Sequence, residues 1–554
     1  MKAILSDFEK ILYRRFVLRN PNRPLGFSHS DTNQYVYRPM TERNKIDELR
    51  KIAEQGGGEK RIATQHEKGK RTARERIEML LDPGTFVETD MFVTPRQQLS
   101  SDNGKSPQEF TDGVVTGWGK IDGRIVYIYA QDFTILGGSL GESHGMKIAR
   151  LIDLAHQNGA PVIGLNDSGG ARIQEGVDSL AACGEMFNRN VKSSGIIPQI
   201  AAILGPCAGA AVYSPALMDF VFMEEHNAYM FLTGPDVVRA VTHEEVSAYE
   251  LGGASLHAGE SGVAHFVSDG EEALMEEVRT LLSYLPSNNL TPAPVLLSPD
   301  DPERLTPEME EIVPEDERQP YDVKEVIESM VDEGQFLEVQ RDYAQNIVIG
   351  FARLNGHSVG IVANQPLILA GVLDIDASDK AARFIRFCDS FHIPLVSLVD
   401  TPGFLPGTNQ EAGGVIRHGA KMIFAYAEAT VPKVSVILRK AFGGAYIVMS
   451  SKHLKGDLNF AWPNANLAVM GPEGAVNILY RRELASANDE EELRQQKIEE
   501  YRKEFANPFI AASRGYLNDV IHPSETRRRI VMALEALQDK RQLTSARKHG
   551  NIPL

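Results

Sequence analysis

Cysteine is scarce: the 554 residues hold three, Cys183, Cys207 and Cys388, with no CxxC pair among them. This excludes a zinc ribbon and a disulfide framework, so a reducing compartment is expected and no bound metal. Long apolar runs are missing too. Each hydrophobic stretch is broken by Gly, Pro or charge before the roughly 18 residues that a bilayer-spanning helix needs, so no membrane insertion is expected. Nor is there a basic excess. The formal charge is −17, with acidic clusters near 301–317 and 489–500, which argues against a nucleic-acid surface. What is present is 42% hydrophobic and 24% charged residues, the mix of a globular chain. The length exceeds the roughly 250–300 residues of a single core. Residues 1–60 read as an N-terminal helical extension. Lys2, Arg14, Arg15 and Arg19 suggest a mitochondrial presequence, but Asp7 and Glu9 stand among them, and transit peptides are poor in acid. The expected location is therefore cytoplasmic rather than the mitochondrial matrix.

The most informative feature is a repeat. At an offset of 233, Gly117 falls on Gly350, Gly123 on Gly356, Gly138 on Gly371, Lys147 on Lys380, Pro161 on Pro394 and Asp167 on Asp400. From 114 to 167 there are 17 identical pairs in 54 positions without a gap, far more than chance supplies, so the chain is a duplication. With the offset widened by two, Gly209 and Ala210 fall on Gly444 and Ala445. The expected division is a first domain at 61–300, a linker at 301–320 crowded with Pro and acid, and a second domain at 321–554. In each half, strand-like GRIVYIYAQD and HSVGIVANQP precede amphipathic helices and the buried strands PVIGLND and PLVSLVD. The pattern predicts an α/β fold, a mostly parallel sheet flanked by helices, twice over.

In such folds sites lie beyond the carboxyl ends of the strands. Two Gly-rich loops follow the buried strands, SGGARIQEG with Gly169, Gly170, Ala171 and Arg172, and TPGFLPG with Gly403 and Phe404. One unit later, strands run into Gly-rich turns and helices at Gly209–Ala210 and Gly444–Ala445. Helix starts leave N–H groups without intrahelical partners, so each turn is a candidate oxyanion hole, a device worth about 3–4 kcal/mol to an anionic transition state. Neither loop offers paired carboxylates or a Ser, His and Asp set; His144 and His418 read as structural, and Asp167 and Asp400 as turn-initiating.

The segments DSGGARIQEG, GPCAGAAVYSPALMDF and FLTGPDVV, then VDTPGFLPG, IRHGAKMI, RKAFGGAY and FAWPNA, together resemble the beta (carboxyltransferase) subunits of biotin-dependent acyl-CoA carboxylases, over roughly 60–554. The resemblance implies a crotonase-like fold in each half, a homohexamer built as a dimer of trimers, and sites shared between the first half of one subunit and the second half of another. It implies that Gly209 and Ala210 hold the acyl-CoA carbonyl as its enolate forms, while Gly444 and Ala445 hold the ureido oxygen of biotin, with no protein general base. Gly169, Gly170, Ala171, Arg172, Cys183, Gly403, Phe404 and Ile447 become candidate substrate-binding residues. Ile447 stands where propionyl-type relatives often carry Asp, so acetyl-CoA joins propionyl-CoA as an expected acceptor. No Met-Lys-Met biotin attachment sequence or GxxxxGK[ST] loop occurs. Biotin is therefore expected on a separate carrier, with a biotin carboxylase chain as the other partner in an ATP-dependent holoenzyme. A sodium-pumping acyl-CoA decarboxylase or a transcarboxylase would share these turns. More distant alternatives are a crotonase-like hydratase, which leaves the second turn idle, and a catalytically silent scaffold.

Overall fold

The computed structural model describes residues 41–96, 110–542 and 546–554. Most of the expected N-terminal extension lies outside them; its described part holds the helix Thr41–Glu54 and the start of Glu59–Glu67. Residues 53–554 form one compact unit with two eight-stranded sheets. The first contains β1 (Val87–Thr89), β2 (Val114–Ile121), β3 (Arg124–Gln131), β4 (Val162–Ser168), β5 (Gln199–Ala208), β6 (Phe220–Glu224), β7 (Tyr229–Phe231) and β8 (Phe266–Ser268). The second contains β9 (Phe336–Val339), β10 (Ile347–Leu354), β11 (His357–Asn364), β12 (Leu395–Thr401), β13 (Lys433–Phe442), β14 (Leu458–Ala461), β15 (Asn466–Ala468) and β16 (Asp519–Val520). Their orders correspond: β1-β2-β3-β4-β5-β6-β8 with β7 on β5, and β9-β10-β11-β12-β13-β14-β16 with β15 on β13.

The 233-residue offset is visible in three dimensions. β2, β3 and β4 map onto β10, β11 and β12 end for end, and the parallel register Tyr127↔Val162 recurs as Gly360↔Leu395. Each antiparallel opening pair turns through two left-handed residues, Asp122 (φ 50°) and Gly123 (φ 78°), then Asn355 (φ 52°) and Gly356 (φ 76°). Asp-Gly and Asn-Gly favour this mirror-image turn because its twist matches that of the strands. A carboxylate fastens each: Asp82 accepts from the N–H groups of Asp122 and Gly123 at 3.1 and 2.9 Å, Asp332 from those of Asn355 and Gly356 at 3.1 and 2.7 Å.

The crossover helices Glu142–Asn158 and Ile375–Ser390 connect β3 to β4 and β11 to β12, as parallel pairing of those strands requires. Between the halves runs a continuous apolar core. Phe220 of β6 meets Phe387 of the second-half helix at 4.7 Å between ring centroids and Phe351 of β10 at 6.0 Å, and Arg383 donates to the Met218 carbonyl at 2.7 Å. Residues 301–320, expected as a linker, lie against the second half. Met309 is fully buried in its core, Thr306 N–H bonds the Ser524 carbonyl at 2.8 Å, and the Arg439 guanidinium gathers the carbonyls of Asp316 and Gln319 at 3.0 and 2.9 Å.

The matching hairpins differ in one testable way. A Cβ on Gly123 would meet nothing within 4 Å, whereas one on Gly356 would overlap the Leu296 carbonyl oxygen. Gly123→Ala is expected to destabilise by about 1–2 kcal/mol, the left-handed penalty alone. Gly356→Ala is expected to lose about 1–3 kcal/mol more through overpacking. Chemical denaturation of both variants checks the ordering, and equal losses would contradict it.

Candidate active site

The candidate loops hang from two buried carboxylates. Asp167 near the end of β4 is fully buried and accepts from Arg76 Nη1 and Lys70 Nζ, each at 2.8 Å, and from Gln65 Nε2 at 3.2 Å. Arg76 continues to Glu271 at 2.6 Å and to the Leu204 carbonyl of β5 at 2.9 Å. Burial lowers the Lys70 pKa against the pull of Asp167. Asp400, its repeat partner at the end of β12, accepts from Arg439 Nε at 3.0 Å and from the Lys440 N–H at 3.1 Å. These aspartates therefore do more than initiate turns: they are charged anchors. The Lys440 side chain is turned inward, its Nζ 3.2 Å from the Glu317 carbonyl.

Beyond the anchors the two loops are built alike. Gly170 (φ 100°) and Gly403 (φ 142°) occupy backbone space that other residues avoid. Each carries a short parallel bridge, Leu140↔Ala171 and Leu373↔Phe404. A Cβ on Gly170 would stand 2.7 Å from the Ala208 carbonyl oxygen, so the first loop lies against the residue preceding Gly209. In the second half Phe404 comes to the turn instead, its ring 3.9 Å from where a Gly444 Cβ would be. Gly169 is exposed and Ala171 half-buried.

At the next strand exits the structure shifts the repeat by one residue. Ala208 and Phe442 end β5 and β13 in extended conformation, and the following residues, Gly209 (φ 59°) and Gly443 (φ 60°), are left-handed. Gly209 therefore pairs with Gly443, not with Gly444, and Ala210 and Ala211 pair with Gly444 and Ala445. These four N–H groups open the helical turns Gly209–Val212 and Gly443–Val448, where no intrahelical carbonyl reaches them. Gly444 is exposed and Ala210 half-buried, while Ala211 and Ala445 are buried. Gly443 and Ala211 were missed in the sequence, although an offset of 234 would have found them.

Other candidates fall into place less directly. Ile447 is half-buried within the second turn's helix. Cys183 is buried in the helix Val177–Ser193, in the same apolar cluster as Ala211 and Val212, and burial raises its thiol to about 11, so it acts as an apolar wall and not as a thiolate. Arg172 does not reach outward. Its side chain is 1% exposed and pairs with Asp112 at 2.8 Å and Glu175 at 2.6 Å. His144 is helical and fully buried against the Asp112 carbonyl, held neutral down to about pH 3 by burial. His418, also helical, pairs with Asp379 at 2.9 Å. Among the described residues no side chain at either turn is placed to act as a general base, and the chemistry the turns offer is that of paired backbone donors.

Residues 64–552 match the carboxyl transferase domain family. The chain belongs to that family. A propionyl-CoA carboxylase carboxyltransferase subunit of Haloferax mediterranei is 59% identical over 93% of this chain and all of its own length. The methylmalonyl-CoA decarboxylase subunit alpha of Propionigenium modestum is 53% identical over 92% of this chain and 99% of its own. Among solved structures, a transcarboxylase 12S hexamer with methylmalonyl-coenzyme A bound superposes with a TM-score of 0.89 at 50% identity, covering 96% of this chain and all of that one. The protein is thus a carboxyltransferase with two crotonase-like halves, the fold and activity that the sequence led us to expect. Among the described residues no helix is long and apolar enough to cross a membrane.

Gly444→Val tests the second turn as a carboxyltransferase site. The new Cβ has open space beside Phe404, so thermal unfolding is expected to stay near wild type, while the side chain bars a ligand from the Gly444 N–H and transfer falls about 10²–10³-fold, as when an oxyanion donor is lost. Wild-type transfer rates would remove the turn from the mechanism.

Proposed function

We propose that this chain transfers a carboxyl group from carboxybiotin, borne on a separate carrier protein, to the α carbon of a short-chain acyl-CoA, with propionyl-CoA preferred and acetyl-CoA accepted. The reading is carried by the duplicated strand-exit turn: one fold presents two sets of outward backbone donors, as a reaction with an oxyanion on each reactant requires. The N–H groups of the Gly209–Ala211 turn would hold the thioester oxygen as charge develops on it. Those of Gly444 and Ala445 would hold the ureido oxygen of biotin. The exposed Gly444 and the space above it suit a ring carried in by a partner. Biotin, when bound, supplies the carboxyl group and the base. Within this chain the donors fix both oxygens, Gly169, Gly170 and Ala171 border the first turn, and Phe404 walls the second. Gly403 lets that loop close on Leu373, with the Leu373 N–H donating to the Gly403 carbonyl at 3.0 Å.

The same reading assigns 61–300 to the acyl-CoA side and 321–554 to the biotin side. It takes the assembly as a homohexamer, the partners as biotin carboxylase and biotin carboxyl carrier chains within an ATP-dependent holoenzyme, and the location as the cytoplasm. The 53% identity to a decarboxylase subunit alpha supports a second reading, in which the same turns serve net decarboxylation beside a membrane-bound partner. Purification from the native source distinguishes the two by which partner chain accompanies this one.

The test is transfer from a carboxybiotin-loaded carrier to acetyl-, propionyl- and butyryl-CoA in parallel. Propionyl-CoA is expected to lead, with one methylene separating neighbours by roughly 10–200-fold. Ile447→Ala is expected to shift the butyryl-to-propionyl ratio upward by about tenfold. No transfer to any of the three would overturn the proposal, and an unchanged ratio would remove Ile447 from the acyl pocket.

A further inference from the structure

The repeat makes its own control, because the loop after β4 and the loop after β12 share backbone geometry but not fastening. Arg172 maps onto Leu405, Asp112 onto Gln345 and Glu175 onto Thr408 at the 233-residue offset. The first loop thus carries a buried ion cluster for which the second has no counterpart. Arg172 Nη1 lies 2.8 Å from Asp112 and 2.6 Å from Glu175, and Nη2 donates to the Ser139 carbonyl at 2.9 Å. Glu175 in turn accepts the Glu142 N–H at 2.6 Å, at the start of the helix Glu142–Asn158. Asp112 accepts the His144 N–H at 2.9 Å. The turn bearing Asp112 is strained: Thr111 and Asp112 sit at φ 69° and 47°, a conformation that a β-branched residue adopts only when its surroundings impose it. The cluster lies next to the Gly169–Ala171 loop, which touches Ala208 at the edge of the first turn.

We propose that Asp112, Arg172 and Glu175 are positioning residues that preset the Gly169–Gly170–Ala171 loop against the first turn, so that the acyl-CoA meets a formed site, while the biotin side works without them. None of the three touches a reactant; they act through the loop backbone. The proposal rests on the assignment of the first half to acyl-CoA given above.

Burial holds the Asp112 carboxyl up at about 6. The groups facing it are Arg172 and Glu175 from the loop, and His144 and Lys147 from the helix. His144 is neutral down to about 3, and Lys147, lowered to about 8 by burial, is charged at pH 7 and below. Asp112 therefore takes up a proton, and its pair with Arg172 weakens, as the pH falls through about 6. Because this pKa is raised in the folded state, protonation adds to global stability as the pH falls through about 6 toward the ordinary value of 3.8, so the loss expected below pH 6 is of loop order and not of the fold.

Asp112→Asn keeps the shape and removes the charge, and Arg172→Lys keeps the charge without the fork. Full-length wild type and both variants are assayed with propionyl-CoA and a carboxybiotin-loaded carrier, alongside hydrogen exchange of the 169–176 amides. For Asp112→Asn we expect the KM for propionyl-CoA to rise roughly tenfold with the KM for the carrier within twofold, and the loop amides to exchange faster without substrate. Arg172→Lys should lie between it and wild type. In wild type the propionyl-CoA KM should climb below pH 6, and in Asp112→Asn it should not. Unchanged loop exchange with an unchanged propionyl-CoA KM overturns the clamp, as does an equal rise in both KM values. If wild type transfers to no acyl-CoA, the functional assignment fails, and loop exchange alone then decides whether the clamp holds its loop.

Discussion

Asp167 and Asp400 close the two central strands, both fully buried, and the rest of the site is arranged around their charge. A carboxylate in that position is tolerated only when cations and N–H groups compensate it, and removal of one partner from such a pair costs about 3–5 kcal/mol. The halves solve this differently. Asp167 draws on Lys70 and Arg76, from segments well before the sheet, and Glu271 completes the set from a helix beyond it. Asp400 draws on Arg439 and Lys440 of the neighbouring strand. A Cβ on Gly205 would overlap the Asp167 carboxylate and the Lys70 ammonium, so the absent side chain makes room for the pair. With the strand ends fixed, the loops that follow start from defined points.

Duplication followed by divergence explains how one fold supplies two unlike sites. Backbone features persist: the left-handed glycines at 209 and 443, the closely packed Gly138 and Gly371 against the carbonyls of Asp167 and Asp400, and the bridges through Leu140 and Leu373. Side chains differ. Ala210 corresponds to Gly444, Val212 to Tyr446, and Ala171 to Phe404 in the repeat. The Tyr446 hydroxyl is buried without a partner among the described residues, and burial raises it to about 12, so it belongs to the apolar wall and not to proton transfer. In the proposed function, what is retained points N–H groups and what has changed chooses their ligand.

The strands β2 to β4, their counterparts, the hairpins and the loops were legible because each rests on local pattern: alternation, Asp-Gly or Asn-Gly, and a constant offset. The one-residue slip at β5 and β13 was not, since Gly-Ala recurs there at neighbouring registers and only the positive φ of Gly209 and Gly443 selects between them. Arg172 reads as a substrate-binding candidate because its partner Asp112 lies 60 residues away; Asp167 reads as a turn residue because Arg76 and Lys70 are 91 and 97 residues distant. The Pro and acid of 301–320 mark a linker but not its packing: Met309 within it and Tyr321 just after it are buried in the second core. Long-range charge pairing leaves no periodic trace.

The central claim is that matching turns hold different reactants, the first the acyl-CoA and the second biotin. The most direct measurement is a pair of titrations on the Gly444→Val protein, calorimetric binding of propionyl-CoA and of the biotinylated carrier. The account predicts propionyl-CoA affinity within about twofold of wild type and carrier affinity reduced at least tenfold. Loss of propionyl-CoA affinity with the carrier unaffected would contradict it.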